Sequence, residues 1–101
     1  MRFEGKTAVI TAAGAGIGRA TAGILVEEGA KVVAVEIDQA RIDKMTRELV
    51  GKAGSIDGRC VDAIDEEQVR ALIADVEAKY DRIDFLVNAV GQLSSHGIEV
   101  F

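Results

Sequence analysis

Thr11-Ala12-Ala13-Gly14-Ala15-Gly16-Ile17-Gly18 decides the fold, because it sets three glycines between an apolar run and a helical pattern. The run at 7–11 is typical of a strand buried on both faces. Glycine is needed where the phosphates of a ligand approach the N–H groups at the start of a helix, since a Cβ atom would hold them away. The stretch therefore predicts a strand, a tight turn and a helix that receive a phosphate-bearing ligand.

Apolar patterns on either side of this loop predict four strands that alternate with three helices. The other strands are expected at 31–36, 58–62 and 83–88. The first helix follows at 18–28, and one side of it is expected to carry Ile17, Ala20, Thr21, Ile24 and Leu25. Apolar residues at helical spacing mark the second and third helices, with Asp38 and Asp65 as N-caps. This order predicts one α/β domain over residues 1–101, a half-fold of a doubly wound, Rossmann-type parallel sheet with strand order 3-2-1-4.

The composition of the chain argues against a nucleic-acid-binding protein and against a membrane protein. The 101 residues carry a net charge of −5 without a basic run, so neither nucleic acid nor a membrane is expected as a partner. No apolar run approaches the roughly 20 residues that span a bilayer. The single cysteine, Cys60, cannot form an internal disulfide and is expected to be a small buried residue within a strand. We expect a cytoplasmic protein without a metal site.

Two acidic residues end predicted strands at the edge where open α/β sheets bind ligands. Glu36 comes twenty residues after Gly16, where a carboxylate accepts hydrogen bonds from the adenosine ribose of a dinucleotide. Its charge would repel a 2′-phosphate, so it favours NAD over NADP. Asp62 ends the third strand in the same way.

The glycine loop, taken as T-G-x-x-x-G-x-G, resembles the cofactor loop of the short-chain dehydrogenase/reductase family. Thr11, Gly16 and Gly18 match, and Ala12 replaces the first glycine. The segment at 88–91, Asn-Ala-Val-Gly, is similar to the family's Asn-Asn-Ala-Gly motif, of which Asn88 and Gly91 match. The resemblance covers residues 3–91 and implies the N-terminal, NAD(H)-binding half of such an enzyme.

The resemblance implies hydride transfer between nicotinamide and a small alcohol or ketone. It assigns Asp62 and Ala63 to the adenine and Asn88 to the ribose side. The cofactor-binding residues expected in all are Thr11, Ala13, Gly14, Gly16, Ile17, Gly18, Glu36, Asp62, Ala63, Asn88, Ala89 and Gly91.

No catalytic residue can be assigned in this chain. The family uses a tyrosine, a lysine four residues later and a serine upstream. The single tyrosine, Tyr80, is followed four residues later by Asp84, and we expect it to pack in the core. The family's triad is expected beyond Phe101, so the chain alone is expected to be inactive. Ser94, Ser95 and His96 cluster, but no acid is in view to orient the histidine.

Other functions stay open at this point. The chain could be an NAD-binding module or minimal Rossmann unit without catalysis, an S-adenosylmethionine-dependent methyltransferase, or a scaffold without a ligand. The fourth strand would expose an apolar edge, so we expect self-association or a complementary C-terminal half to cover it.

Overall fold

The computed structural model describes residues 2–89, 91–94 and 97–100. Three helices alternate with four strands, followed by two short strands. The elements are β1 (Thr7–Thr11), α1 (Gly16–Glu27), β2 (Lys31–Glu36), α2 (Gln39–Leu49), β3 (Ser55–Cys60), α3 (Glu66–Tyr80), β4 (Phe85–Val87), β5 (Gly91–Ser94) and β6 (Gly97–Val100). Val90, Ser95 and His96, named above, lie outside the described residues.

The first four strands form one parallel sheet in the order β3-β2-β1-β4. The predicted fold class and strand order are therefore confirmed. Between β3 and β4 the chain crosses from one edge of the sheet to the other, and α3 packs on the opposite face from α1 and α2. β5 and β6 pair with each other in a separate antiparallel sheet.

Each face of the parallel sheet has its own hydrophobic core. Alternate residues of a strand point to opposite faces, so Ala8 and Ile10 pack under α1 and α2 while Val9 packs under α3. The first core includes Val26 of α1 and Met45 of α2. The second includes Val33, Val35, Leu72 and Val76. Strands that are apolar on both sides require this double cover, which is why β1 and β2 are almost fully buried.

The two predicted N-caps are confirmed. The Asp38 side chain accepts hydrogen bonds from the N–H groups of Ala40 and Arg41 at the start of α2. Asp65 accepts from Glu67 and Gln68 at the start of α3. Both helices therefore begin where the carboxylates meet their free N–H groups.

Five details of the prediction are wrong. The first helix spans Gly16–Glu27 rather than 18–28, and the fourth strand spans Phe85–Val87 rather than 83–88. The third strand spans Ser55–Cys60 rather than 58–62, because β3 pairs with the whole of β2, from Lys31 opposite Ser55 onward. Of the predicted apolar side of the first helix, Ile17, Ala20 and Ile24 are exposed. The buried side of α1 instead consists of Gly18, Ala22, Leu25 and Val26. Cys60 is exposed, since it is the last residue of an edge strand.

A cluster of polar and charged side chains links β3 to α3. It consists of Asp57, Arg59, Lys79 and Tyr80. Asp57 accepts hydrogen bonds from Arg59 (Nε, 2.9 Å), from Lys79 (3.2 Å) and from the Tyr80 hydroxyl (2.7 Å). Burial raises the pKa of Asp57, but these three donors outweigh it and hold the pKa at about 2. Burial and the bond to Asp57 in turn raise the pKa of Tyr80. Tyr80 packs against the second core as predicted, and it also carries this polar contact.

No helix within the described residues is long and apolar enough to cross a membrane.

Candidate functional site

The first turn of α1 is open at its N-terminal end. Gly16 opens the helix with φ +57°, and a Cβ atom built there meets no atom of the described residues within 4 Å. Ala15, at the N-cap position, has no side-chain oxygen with which to bind the N–H groups of the first turn. Ile17 beside it is 81% exposed. These N–H groups and the positive end of the helix dipole are available to an anion.

The turn before α1 keeps its tight shape although alanine replaces a glycine. Ala12 adopts φ +51°, in the left-handed region that non-glycine residues rarely occupy. Gly18 packs directly on this turn, since a Cβ on Gly18 would lie 2.3 Å from the Ala12 carbonyl oxygen. Ala13 is fully buried, and its N–H donates to the Val35 carbonyl at 3.0 Å. Ala13 and Gly18 therefore shape the loop from inside.

Glu36 lies at the end of β2 with its carboxylate turned towards the glycine loop. Its side chain accepts hydrogen bonds from the backbone N–H groups of Gly14 and Asp38, each at 3.0 Å, and the residue is 5% exposed. A Cβ on Gly14 would lie 2.6 Å from Glu36 Oε1, so this glycine allows the close approach. Each carboxylate oxygen has a second lone pair, so each can accept a further hydrogen bond.

The ends of β1 and β4 are joined by side-chain contacts. The Thr11 hydroxyl donates to Asn88 Oδ1 at 3.1 Å and accepts from the Ala89 N–H at 3.0 Å. The base of the glycine loop is thereby fixed to the segment after β4. Gly91 is the first residue of β5 and pairs with Val100, in the separate two-stranded sheet.

A cleft of about 330 Å³ lies at the carboxyl ends of β1, β2 and β3. Asp62 shapes its β3 side, with its carboxylate accepting from the Ile64 N–H at 3.1 Å and its own N–H donating to Gln68 Oε1 at 3.0 Å. Ile37 and Ile64 are 64% and 71% exposed and give the cleft apolar walls. The lining residues are Ala12, Ala15, Val35, Glu36, Ile37, Arg41, Val61, Asp62, Ala63 and Ile64.

The predicted residues therefore fall into groups. Glu36, Asp62 and Ala63 line the cleft, and Thr11, Asn88 and Ala89 form a polar link beside it. Sequence reasoning missed Ile37, Ile64 and Arg41. Ile37, directly after the end of β2, and Ile64, in the turn between β3 and α3, were a usable signal, since a large apolar side chain in a turn has no core to enter.

Comparison with known proteins matches the chain to the short chain dehydrogenase family over residues 6–100. The chain is 40% identical over 91 residues to a 3-oxoacyl-(acyl-carrier-protein) reductase of Thermotoga maritima, covering 90% of this chain and 37% of that protein. NAD⁺-bound xylitol dehydrogenase superposes with a TM-score of 0.85 at 30% identity, over 92% of this chain and 36% of that one. A metagenomic short-chain oxidoreductase in complex with NADP gives a TM-score of 0.85 at 33% identity, covering 91% and 42%.

The first curated relatives are much longer than this chain, which spans between 35% and 37% of their lengths. The match nevertheless extends over nearly all of the present residues, from the strand before the glycine loop through β6. The order of the strands agrees with it. The chain belongs to the short-chain dehydrogenase family.

Proposed function

We propose that this chain is the NAD(H)-binding portion of an oxidoreductase that transfers hydride between nicotinamide and a small alcohol or ketone. The observation that carries the proposal is the open start of α1, where Gly16 leaves free space in front of the first turn of the helix. The carboxylate of Glu36 and the apolar cleft lie beside it. Family membership decides against the methyltransferase hypothesis.

The residues fit a dinucleotide in three places. The first turn of α1, at Gly16, Ile17 and Gly18, would receive the pyrophosphate, because its N–H groups and dipole favour negative charge. Glu36 would accept from the ribose hydroxyls with its remaining lone pairs. Asp62 and Ala63 would bind the adenine edge, and Ile37 and Ile64 would pack on its faces. When bound, the nicotinamide exchanges hydride with the substrate.

NAD is the proposed cofactor, in preference to NADP. The buried Glu36 carboxylate lies where a 2′-phosphate would approach, and two like charges in a cleft repel strongly. The structural relatives include complexes with each cofactor, so the preference depends on this residue.

The catalytic tyrosine, lysine and serine are proposed to lie outside this chain. Tyr80 has its hydroxyl bonded to Asp57 on the α3 side of β3, apart from the residues that line the cleft. The edge strand β4 is proposed to be covered by a second copy or by a C-terminal portion. A cytoplasmic location, expected from the composition as a whole, belongs to the same proposal.

Titration of the purified chain with NADH and then NADPH tests the proposal. Cofactor fluorescence or heat would be followed, with circular dichroism to show that the chain is folded. We expect saturable binding with clear preference for NADH. Absence of binding of both cofactors to a folded chain would refute the proposal, and equal or tighter binding of NADPH would refute the role of Glu36 alone.

A further inference from the structure

Arg41 is the cationic residue among those that line the cleft. It lies in the first turn of α2, directly behind the glycine loop. A Cβ atom on Gly14 would lie 2.7 Å from the Arg41 Cβ and 2.6 Å from Glu36 Oε1, so the arginine stem and the Glu36 carboxylate pack against the same glycine. The side chain that carries the guanidinium group therefore starts next to the Glu36 carboxylate, which is proposed to bind the ribose.

Asp38 holds Arg41 with one of its two carboxylate oxygens. Asp38 Oδ1 accepts from the Ala40 N–H at 2.9 Å as the cap of α2, and Asp38 Oδ2 lies 3.7 Å from Arg41 Nε. Both side chains are about half exposed, at 46% and 54%. Exposed ion pairs of this kind are weak, so a stronger partner can take the guanidinium group from Asp38.

A phosphate on the ribose would be such a partner. The planar guanidinium fork matches phosphate oxygens in a bidentate manner, and hydrogen bonds between charged groups are roughly twice as strong as neutral ones. Glu36 in the cleft and Asp38, which pairs with Arg41, would both repel the phosphate, whereas Arg41 would attract it. The affinity for a 2′-phosphate therefore depends on whether the Arg41 guanidinium group is free or paired with Asp38.

We propose that Arg41 is a specificity-determining residue for the cofactor, and that Asp38 restrains it in favour of NAD(H). This inference rests on the proposed function, because it requires a dinucleotide in the cleft. Asp38 lowers the affinity for a 2′-phosphate in two ways, by its own charge and by engaging the guanidinium group. Of these two effects, only the pairing with the guanidinium group depends on Arg41.

The test is a double-mutant cycle on Asp38→Asn and Arg41→Gln, read by the binding of NADH and NADPH. Asparagine is as good an N-cap as aspartate, so Asp38→Asn keeps α2 intact while it removes the charge. We expect Asp38→Asn to strengthen NADPH binding by up to about fivefold and to leave NADH binding within about twofold. Adding Arg41→Gln removes most of that gain. The control is Arg47→Gln in the Asp38→Asn background, since Arg47 lies in the last turn of the same helix, away from the cleft.

The outcomes separate this inference from the proposed function. A gain in NADPH binding that survives Arg41→Gln shows that only the charge of Asp38 acts, and overturns the role of Arg41. No gain on Asp38→Asn, with NADH still bound, overturns the restraint. Failure of the wild-type chain to bind either cofactor overturns the proposed function and this inference with it.

Discussion

Ala12 adopts a backbone conformation that glycine ordinarily takes. Its φ of +51° brings its Cβ towards its own carbonyl oxygen, a strain of about 1–2 kcal/mol for an L-residue. The loop accepts it because the turn is fixed on both sides. The Ala13 N–H donates to the Val35 carbonyl, and Gly18 packs on the Ala12 carbonyl. Alanine at position 12 therefore raises the energy of the loop but leaves its tight turn in place.

Ala12→Gly is expected to stabilise the chain by up to about 1 kcal/mol. Relief of the strained φ outweighs the greater freedom that glycine has in the unfolded chain, which is about 0.5–1 kcal/mol. Urea unfolding followed by circular dichroism measures the free energy. Ala71→Gly is the matched control, since Ala71 is exposed within α3 and glycine there costs about 1 kcal/mol. Equal destabilisation by the two changes would contradict the account of Ala12.

The sequence predicted which residues belong to the site more easily than whether they are buried or hydrogen-bonded. The spacing of Glu36 from the glycine loop places it at the end of β2. Its burial and its two backbone hydrogen bonds could not be predicted, because they require the Gly14 N–H to arrive from another part of the chain. Arg41 was missed for a similar reason, since an arginine in the first turn of a helix usually faces solvent.

At the scale of elements, the contact between β3 and α3 depends on a cluster that no local pattern indicates. The partners of Asp57 include Lys79 and Tyr80, 22 and 23 residues away. The same cluster accounts for the wrong start of β3. The polar segment at 55–57 looks like a loop in the sequence, yet Asp57 is compensated by charged donors and the strand can include it.

Asp57→Asn is expected to lower the free energy of unfolding at pH 7 by about 2 kcal/mol. The folded pKa of Asp57, about 2, lies below its ordinary value of 3.8, so the charged form is favoured in the folded chain. Each unit of such a difference corresponds to about 1.4 kcal/mol. A lowered pKa stabilises the fold above the unfolded value and ceases to do so as the pH falls from about 4 to about 2. Urea unfolding across this range measures it.

The difference between Asp57→Asn and the wild type should therefore shrink as the pH falls through this window. Asp43→Asn serves as the control, because Asp43 is exposed on α2 and its carboxylate accepts a hydrogen bond from the neighbouring Gln39 side chain. A difference that stays constant from pH 7 to pH 2 would show that the Asp57 charge contributes nothing.

At the scale of the whole molecule, the alternation of strands and helices was enough to predict the topology. Right-handed crossovers and two-sided burial leave few other arrangements for these elements. The separate pairing of β5 with β6 was not predicted, because ten residues around a weak apolar pattern do not fix a partner. The edge position of β4 follows from the strand order.

The β4 edge is expected to drive association of the isolated chain. Leu86 is 64% exposed, Phe85 is 36% exposed, and an apolar groove runs between β4 and α1. Light scattering after size exclusion should show a mass above that of the monomer, rising with concentration. Leu86→Lys should restore the monomer, because a charge on an edge strand opposes pairing. Val50→Lys, at an exposed site after α2, is the control and should not. A wild-type chain that is monomeric at all concentrations would contradict self-association through this edge.

The central claim is that a dinucleotide lies on the open glycine at the start of α1. NADH binding to Gly16→Ala and Gly51→Ala, compared with the wild type, tests it most directly. Both glycines have positive φ, +57° and +85°, and a Cβ on either meets no described atom within 4 Å. The two changes should therefore cost similar stability, while only Gly16→Ala places a methyl group where the pyrophosphate would lie. We predict that Gly51→Ala binds NADH like the wild type and that Gly16→Ala binds at least about tenfold more weakly, a loss of about 1.4 kcal/mol. Equal NADH affinity of Gly16→Ala and the wild type would contradict the account.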